Sequence, residues 1–199
     1  MAEFRQRVIA LSRAAWSLRR AAPRASTLPF ALALFTDPDR TPAIERLVTS
    51  LPRNMPPMAV IFRHDALPPA QRYALANEVR QEVQARGHLF LMARGHLPGA
   101  DGTHAFSRTE GLRTAPSHGF AEARRAVQQG ADALFISPVL PTESHPGAPS
   151  LGPVRAARLA ASVKVPSLAL GGINERTARV LHGSHFQGFG AIGAFLERP

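Results

Sequence analysis

Eight short apolar runs, most of them spaced out by polar or helix-like segments, constrain this chain more than any other feature. They occupy residues 30–36, 57–63, 88–94, 100–106, 112–117, 131–137, 166–172 and 187–193. Stretches such as "FALALFT", "MAVIF" and "ADALFIS" are apolar at consecutive positions. That describes strands covered on both faces. Segments of helical period lie between several of them, at 66–86, 119–129, 152–163 and 174–182. Strands alternating with helices predict a parallel sheet, because parallel neighbours need a crossover connection. The expected fold is a (β/α)8 TIM barrel over residues 29–199. It must be a compact one, since roughly 170 residues is short for eight units. A doubly wound α/β sheet is the alternative. No internal repeat, low-complexity tract or linker divides the chain.

Residues 1–28 read as an N-terminal basic amphipathic helix added to that domain. Phe4, Val8, Leu11, Ala15 and Leu18 fall on one helical stripe, with arginines around it. The arginines interrupt any apolar core of a signal peptide. The segment loosely resembles an Arg-rich presequence, but a helix covering one end of the domain, or one that docks a partner, fits better.

Composition narrows the chemistry. The chain has no cysteine, so disulfides, thiolate metal sites and cysteine nucleophiles are excluded, and a cytoplasmic location is expected. The net charge of +10 is almost entirely arginine, Lys164 being the single lysine. The arginines are scattered, with one Tyr, one Trp and no nucleic-acid-binding motif, so nucleic acid is not expected as a partner. No apolar run reaches the roughly 18–20 residues of a membrane helix, so no membrane is expected either.

In a parallel barrel, chemistry gathers where strands hand over to the following loops. Those ends carry Asp37, Arg63, Arg94, His104, His118, the "SPVLPTESHPG" loop from Ser137, and Gly171-Gly172 followed by Asn174. Asn174 suits a helix N-cap, and the glycines before it allow backbone N–H groups to approach an anion. With Gly188, Gly190 and Gly193 on the last strand, this predicts a phosphate between the last two loops. The alternative is a Gly-Gly turn that does no more than end a strand tightly. Arg63, Arg94 and His118, on three different strands, suggest an acidic ligand; each arginine could instead make a rim salt bridge. His88, His96, His182 and His185 read as surface residues. Asp101 and His104, three apart, are weak support for a metal pair, and no metal site is expected.

From about Leu34 to Phe195 the chain resembles the thiamine phosphate synthase/TenI (thiazole tautomerase) family. The resemblance rests on "LFTD", "AVIFR", "LFLMAR", "ADGTH", "SHGFAEARRAVQQGADALFISPVLPTESHPG", "VPSLALGGIN" and "GFGAIGAF". It implies a TIM barrel that takes a small phosphorylated thiazole, with a homo-oligomer left open. It further implies that Thr142 and Ser144 supply hydroxyls beside the phosphate, with His145 in place of a lysine. Gly172 and the Ile192-Gly193 backbone match phosphate-cradling positions.

The other half of the synthase pattern departs. Of the family's Gln-x-Arg-x-Lys only Arg63 is kept, with Ile61 and Asp65 in place of the glutamine and lysine. Ala93 and Thr109 stand where magnesium aspartates are expected, and Pro116 replaces the serine of Ser-x-His. Mg²⁺ is therefore expected only if synthase activity is retained. His118 matches the TenI histidine, which implies a thiazole tautomerase using an acid/base imidazole. The alternatives are a thiamine phosphate synthase with an altered pyrimidine diphosphate site, or a non-catalytic barrel that binds a phosphate ligand.

Overall fold

A computed structural model of the chain describes residues 2–105, 110–142, 147 and 149–196. Eight parallel strands close into a barrel in chain order. They are β1 (Leu32–Phe35), β2 (Ala59–Phe62), β3 (Leu89–Ala93), β4 (Gly102–His104), β5 (Leu112–Ser117), β6 (Ala133–Ile136), β7 (Ser167–Ala169) and β8 (Phe186–Ala191). Closure is made by β8 beside β1, with Ala33 opposite Gly190. The fold is the (β/α)8 barrel, not the doubly wound sheet.

The consecutive apolar residues are explained by a core on each side of the strand ring. Ala33 and Phe35, Ala59 and Ile61, Leu91 and Ala93, and Ala133 and Phe135 fill the barrel interior. Their neighbours Leu34, Val60, Phe62, Phe90, Met92 and Leu134 face the outer layer. Side chains alternate along a strand, so a strand between two apolar layers must be apolar at every position.

Compactness comes from missing helices. The segments joining β3 to β4 and β4 to β5 contain no helix among the described residues. The first, "RGHLPGAD", carries two glycines and a proline within eight residues, which defeats a helix. The chain is helical at α1 (Ala2–Ala21), α2 (Ile44–Val48), α3 (Pro69–Ala85), α4 (Phe120–Gln128) and α5 (Pro153–Ser162). The short α2 is not among the helices expected from the sequence, although Ile44, Leu47, Val48 and Leu51 repeat at helical spacing. The helix expected at 174–182 is only a 3₁₀ turn, Thr177–Leu181.

Within the expected helical segment 1–28, the helix ends at Ala21. It lies on the barrel wall rather than over one end, packed against β8 and β1. Phe4, Val8, Leu11, Ala15 and Leu18 are buried in the outer core. Burial contributes about 1.5–3 kcal/mol for each of the large side chains. The Arg19 guanidinium donates to the carbonyls of Gln187, at 3.1 Å, Leu28, at 2.9 Å, and Phe30, tying the helix end to the starts of β8 and β1. This apolar stripe is occupied by the chain's own barrel, so it is not a docking face for a partner.

His88 departs from its expected surface position. It is buried, its Nε2–H donates to the Pro52 carbonyl at 2.9 Å, and burial lowers its pKa. His185 is half-buried, while His96 and His182 are exposed. No helix among the described residues is long and apolar enough to cross a membrane.

Candidate functional site

The barrel mouth divides into two halves. On the β1–β4 side, Arg63 is clamped to the end of β1. Its Nε donates to the Thr36 carbonyl at 3.1 Å and its Nη2 to Asp37 Oδ2 at 3.3 Å. Asp37 thus neutralises one of the two arginines expected to meet an acidic ligand. Arg94 is the other. It is exposed, holds a left-handed φ of 48°, and donates to Asp65 Oδ2 at 3.1 Å. The second Asp65 oxygen accepts from Arg72 at 2.6 Å. Both arginines singled out from the sequence are therefore already paired with carboxylates of the chain itself. The structure also brings in Arg72, which lies inside a helix and gives no strand-end signal.

Two histidines of this half lie deeper than the sequence suggests. His64 is buried, stacked on Phe62 at 4.6 Å, and shares a 3.0 Å hydrogen bond between Nδ1 and Thr36 Oγ1. Burial lowers its pKa, outweighing the nearby Asp37. His104 stands in the barrel interior against Phe35 and Phe135, at 5.2 and 5.6 Å. Burial and the positive charges of Arg63 and Arg94 push its pKa down to about 3. The Thr114 hydroxyl donates to the Thr103 carbonyl at 3.2 Å, so it accepts from His104 Nδ1–H at 3.0 Å. His104 is consequently a neutral imidazole with one tautomer imposed.

The carboxylates do not assemble a magnesium site. Asp37 and Asp65 are each engaged by arginine, and Ala93 supplies no oxygen ligand from its side chain. Asp101 accepts from the Phe90 backbone N–H at 2.8 Å and from Gln84 at 2.9 Å, so it pins β3 and does not pair with His104. Among the described residues no group of three His, Asp or Glu could hold a metal. Thr109 lies outside the described residues. Magnesium needs oxygen ligands, usually including a carboxylate free to coordinate, and the described residues do not supply such a set.

The β5–β8 side is arranged differently. His118 follows β5 and precedes α4, exposed at the mouth. Its backbone N–H donates to Glu122 Oε2 at 2.8 Å, holding the turn into α4. Its Nδ1–H donates to the Ser137 carbonyl at 2.7 Å, which fixes the ring across the ends of β5 and β6. A carbonyl can only accept, so Nδ1 carries the proton and Nε2 of the neutral ring is left as a base. His118 is thus both a helix-start residue and an oriented imidazole.

Ser137 opens the loop quoted from the sequence. Backbone bonds from Val139 to Leu170, 2.9 Å, and from Leu140 to Gly171, 3.1 Å, lay the loop along the end of β7. Thr142 is half-buried beyond it, whereas Ser144 and His145 lie outside the described residues.

This packing gives the Gly-Gly turn a structural cause. Gly171 and Gly172 hold φ values of 90° and 70°. A β-carbon on Gly171 would stand 2.9 Å from Pro138 Cα, and one on Gly172 would stand 2.5 Å from the Pro141 oxygen. Only glycine combines that conformation with that approach. Asn174 Oδ1 accepts from Arg176 and Thr177 N–H at 2.9 Å, but the turn it opens has five residues, too short to supply a helix dipole. The glycines of β8 divide by role. A β-carbon on Gly190 would lie 2.7 Å from the Phe35 ring, and one on Gly188 would strike the Ala31 carbonyl. Both are packing positions. Gly193, two residues past the end of β8 at Ala191, is the one that faces a side chain of the mouth, Arg40, at an ordinary contact distance of 3.6 Å.

Comparison with known proteins agrees with this arrangement. Residues 114–195 match the family model described as thiamine monophosphate synthase. The chain is 29% identical over 153 residues to "Putative thiamine-phosphate synthase 2" of Aquifex aeolicus, covering 69% of this chain and 82% of that one. It is 29% identical over 151 residues to the thiamine-phosphate synthase of Geobacillus kaustophilus, covering 67% of this chain and 68% of the other. The fold matches a solved thiamine phosphate pyrophosphorylase from Pyrococcus furiosus with a TM-score of 0.70 at 24% identity, over 83% and 88% of the two chains. The matched family segment contains His118, the loop from Ser137, the Gly-Gly turn and the Ile192-Gly193 turn, so fold, motifs and relatives converge: the chain is similar to the thiamine phosphate synthase/TenI family over the part of the barrel that carries these residues.

Proposed function

We propose that this barrel binds a thiazole phosphate and acts as a TenI-like thiazole tautomerase, with His118 as its proton-transfer group. The observation that carries the reading is the contrast between the two halves of the mouth. On the β5–β8 side, the Ser137 carbonyl orients His118 and leaves Nε2 as a base. On the β1–β4 side, Arg63, Arg72 and Arg94 are engaged by Asp37 and Asp65. A diphosphate entering there would have to displace two carboxylates and meet their repulsion. A tautomerase needs no diphosphate. It needs one group that takes a proton from one position of the ligand and returns it to another, and a neutral imidazole near physiological pH suits that task. The thiazole phosphate would lie against the Gly172 and Ile192-Gly193 backbone, with Thr142 toward its oxygens. Gly171 supports that turn through its contact with Pro138.

The second reading is synthase activity, favoured by the printed names of the two relatives. One pair of assays separates them. Purified protein is given a thiazole carboxylate phosphate tautomer, with interconversion followed by NMR. It is separately given pyrimidine diphosphate and thiazole phosphate with Mg²⁺, with coupled product measured. Tautomer conversion without coupling is the expected outcome. Robust Mg²⁺-dependent coupling would replace the tautomerase reading with the synthase one, and tight binding without either turnover would leave a binding protein.

A further inference from the structure

We infer that Arg40 is the cation that reads the ligand's phosphate in this chain, a specificity-determining residue outside every motif that marks the family here. The inference rests on the proposed binding of a phosphate ligand at the β8 end of the mouth. Arg40 sits in the turn after β1, whose backbone is organised by Asp37: Asp37 Oδ1 accepts from the N–H groups of Asp39 and Arg40, both at 3.1 Å. Asp37 Oδ2 is turned the other way, onto Arg63. The half-buried Arg40 side chain instead reaches toward the end of β8, the strand beside β1. Its Nη1 lies 3.6 Å from where a β-carbon of Gly193 would stand. It is also close enough to Arg63 for its charge to oppose that of Arg63.

The charge inventory makes this position distinctive. Arg63 pairs with Asp37, and Arg72 and Arg94 share Asp65. Among the described residues, the Arg40 guanidinium has no hydrogen bond and no ion pair. A half-buried guanidinium facing a second one is unfavourable until an anion joins it. A phosphate monoester at the Ile192-Gly193 turn would supply that anion, and the fork of N–H donors matches its oxygens. Gly193 has no side chain to keep the two apart.

The test compares Arg40→Gln with Arg46→Gln, which removes the same charge from an exposed position on α2. Binding of a thiazole phosphate, of the matching thiazole alcohol and of inorganic phosphate is measured by calorimetry, with circular dichroism and thermal melting checking the fold. Arg40→Gln should weaken the thiazole phosphate ten- to a hundred-fold and leave the alcohol within about twofold. Arg40→Lys should fall between, and Arg46→Gln should match the wild type. Equal loss for phosphate and alcohol, or no loss at all, overturns the inference. If the wild type ignores the thiazole phosphate but binds inorganic phosphate, the proposed function fails while Arg40 is judged on inorganic phosphate alone. Binding of neither by the wild type overturns both.

Discussion

The two halves of the barrel mouth use the same kinds of residue to opposite ends. Around β1–β4, arginines, aspartates and two histidines satisfy one another: Arg63 with Asp37, Arg72 and Arg94 with Asp65, His64 with Thr36 and His104 with Thr114. Around β5–β8, the polar groups are oriented but not consumed, as with His118, whose one bonded nitrogen leaves the other as a base. The difference teaches that the sign and number of side chains at a barrel mouth say little about the ligand until their partners are known. A guanidinium already facing a carboxylate is a structural element; a half-buried one at the mouth without a partner is open to an anionic ligand.

The largest expected effect tests the open half. His118→Asn retains a hydrogen-bonding side chain of similar size but cannot titrate. Tautomerase turnover should fall about 10²–10⁴-fold, the usual contribution of general acid–base catalysis, with little change in KM. Steady-state kinetics read by NMR would show it, and a variant with full turnover would retire His118 as the proton carrier.

Next in size is a pH effect on stability from His104, buried in the closed half. His104 has a folded pKa of about 3 against an ordinary value of 6.5. The folded state therefore refuses a proton that the unfolded chain accepts. The associated stability is fully present above about pH 6.5 and is lost progressively as pH falls toward 3, by at most about 5 kcal/mol. Urea titrations between pH 7 and 4 should show this loss in the wild type and a shallower one in His104→Gln. Parallel slopes would mean that His104 is protonated in the folded protein.

The smallest effect tests whether the closed half can be opened. Asp65→Asn removes the charge that holds Arg72 and Arg94. Affinity for pyrophosphate, measured by calorimetry, should rise about tenfold, the scale of one screened charge at a partly exposed site. Unchanged affinity would show that something other than the internal carboxylate keeps a diphosphate out.

Legibility from sequence followed the range of the interactions involved. β1, β2, β3 and β6 were legible because a strand between two cores is apolar at every position, and the α1 stripe because a helix repeats every 3.6 residues. The helix that was misread, 174–182, has the composition of one but only enough bonded backbone for a 3₁₀ turn. The Gly-Gly turn was legible as a special backbone, yet its physical cause, the approach of Pro138 and Pro141, comes from a segment more than thirty residues away. His88, His64 and His104 carried no local sign of burial, because each is covered by neighbours distant in the chain. Arg40 had no sign at all, since the pairings that leave it out are made elsewhere.

What this chain's sequence determined by itself is the barrel and its kinship. Local periodicity sets strands and helices, crossover length sets parallel neighbours, and the motifs from Ser117 to Gly193 carry the similarity to thiamine phosphate synthases. What only the tertiary structure decided is which charged groups are spent. Ion pairs such as Asp65 with Arg72 and Arg94 join residues from different strands and helices. Their formation depends on distances of a few ångströms across the closed ring, which no one-dimensional spacing specifies.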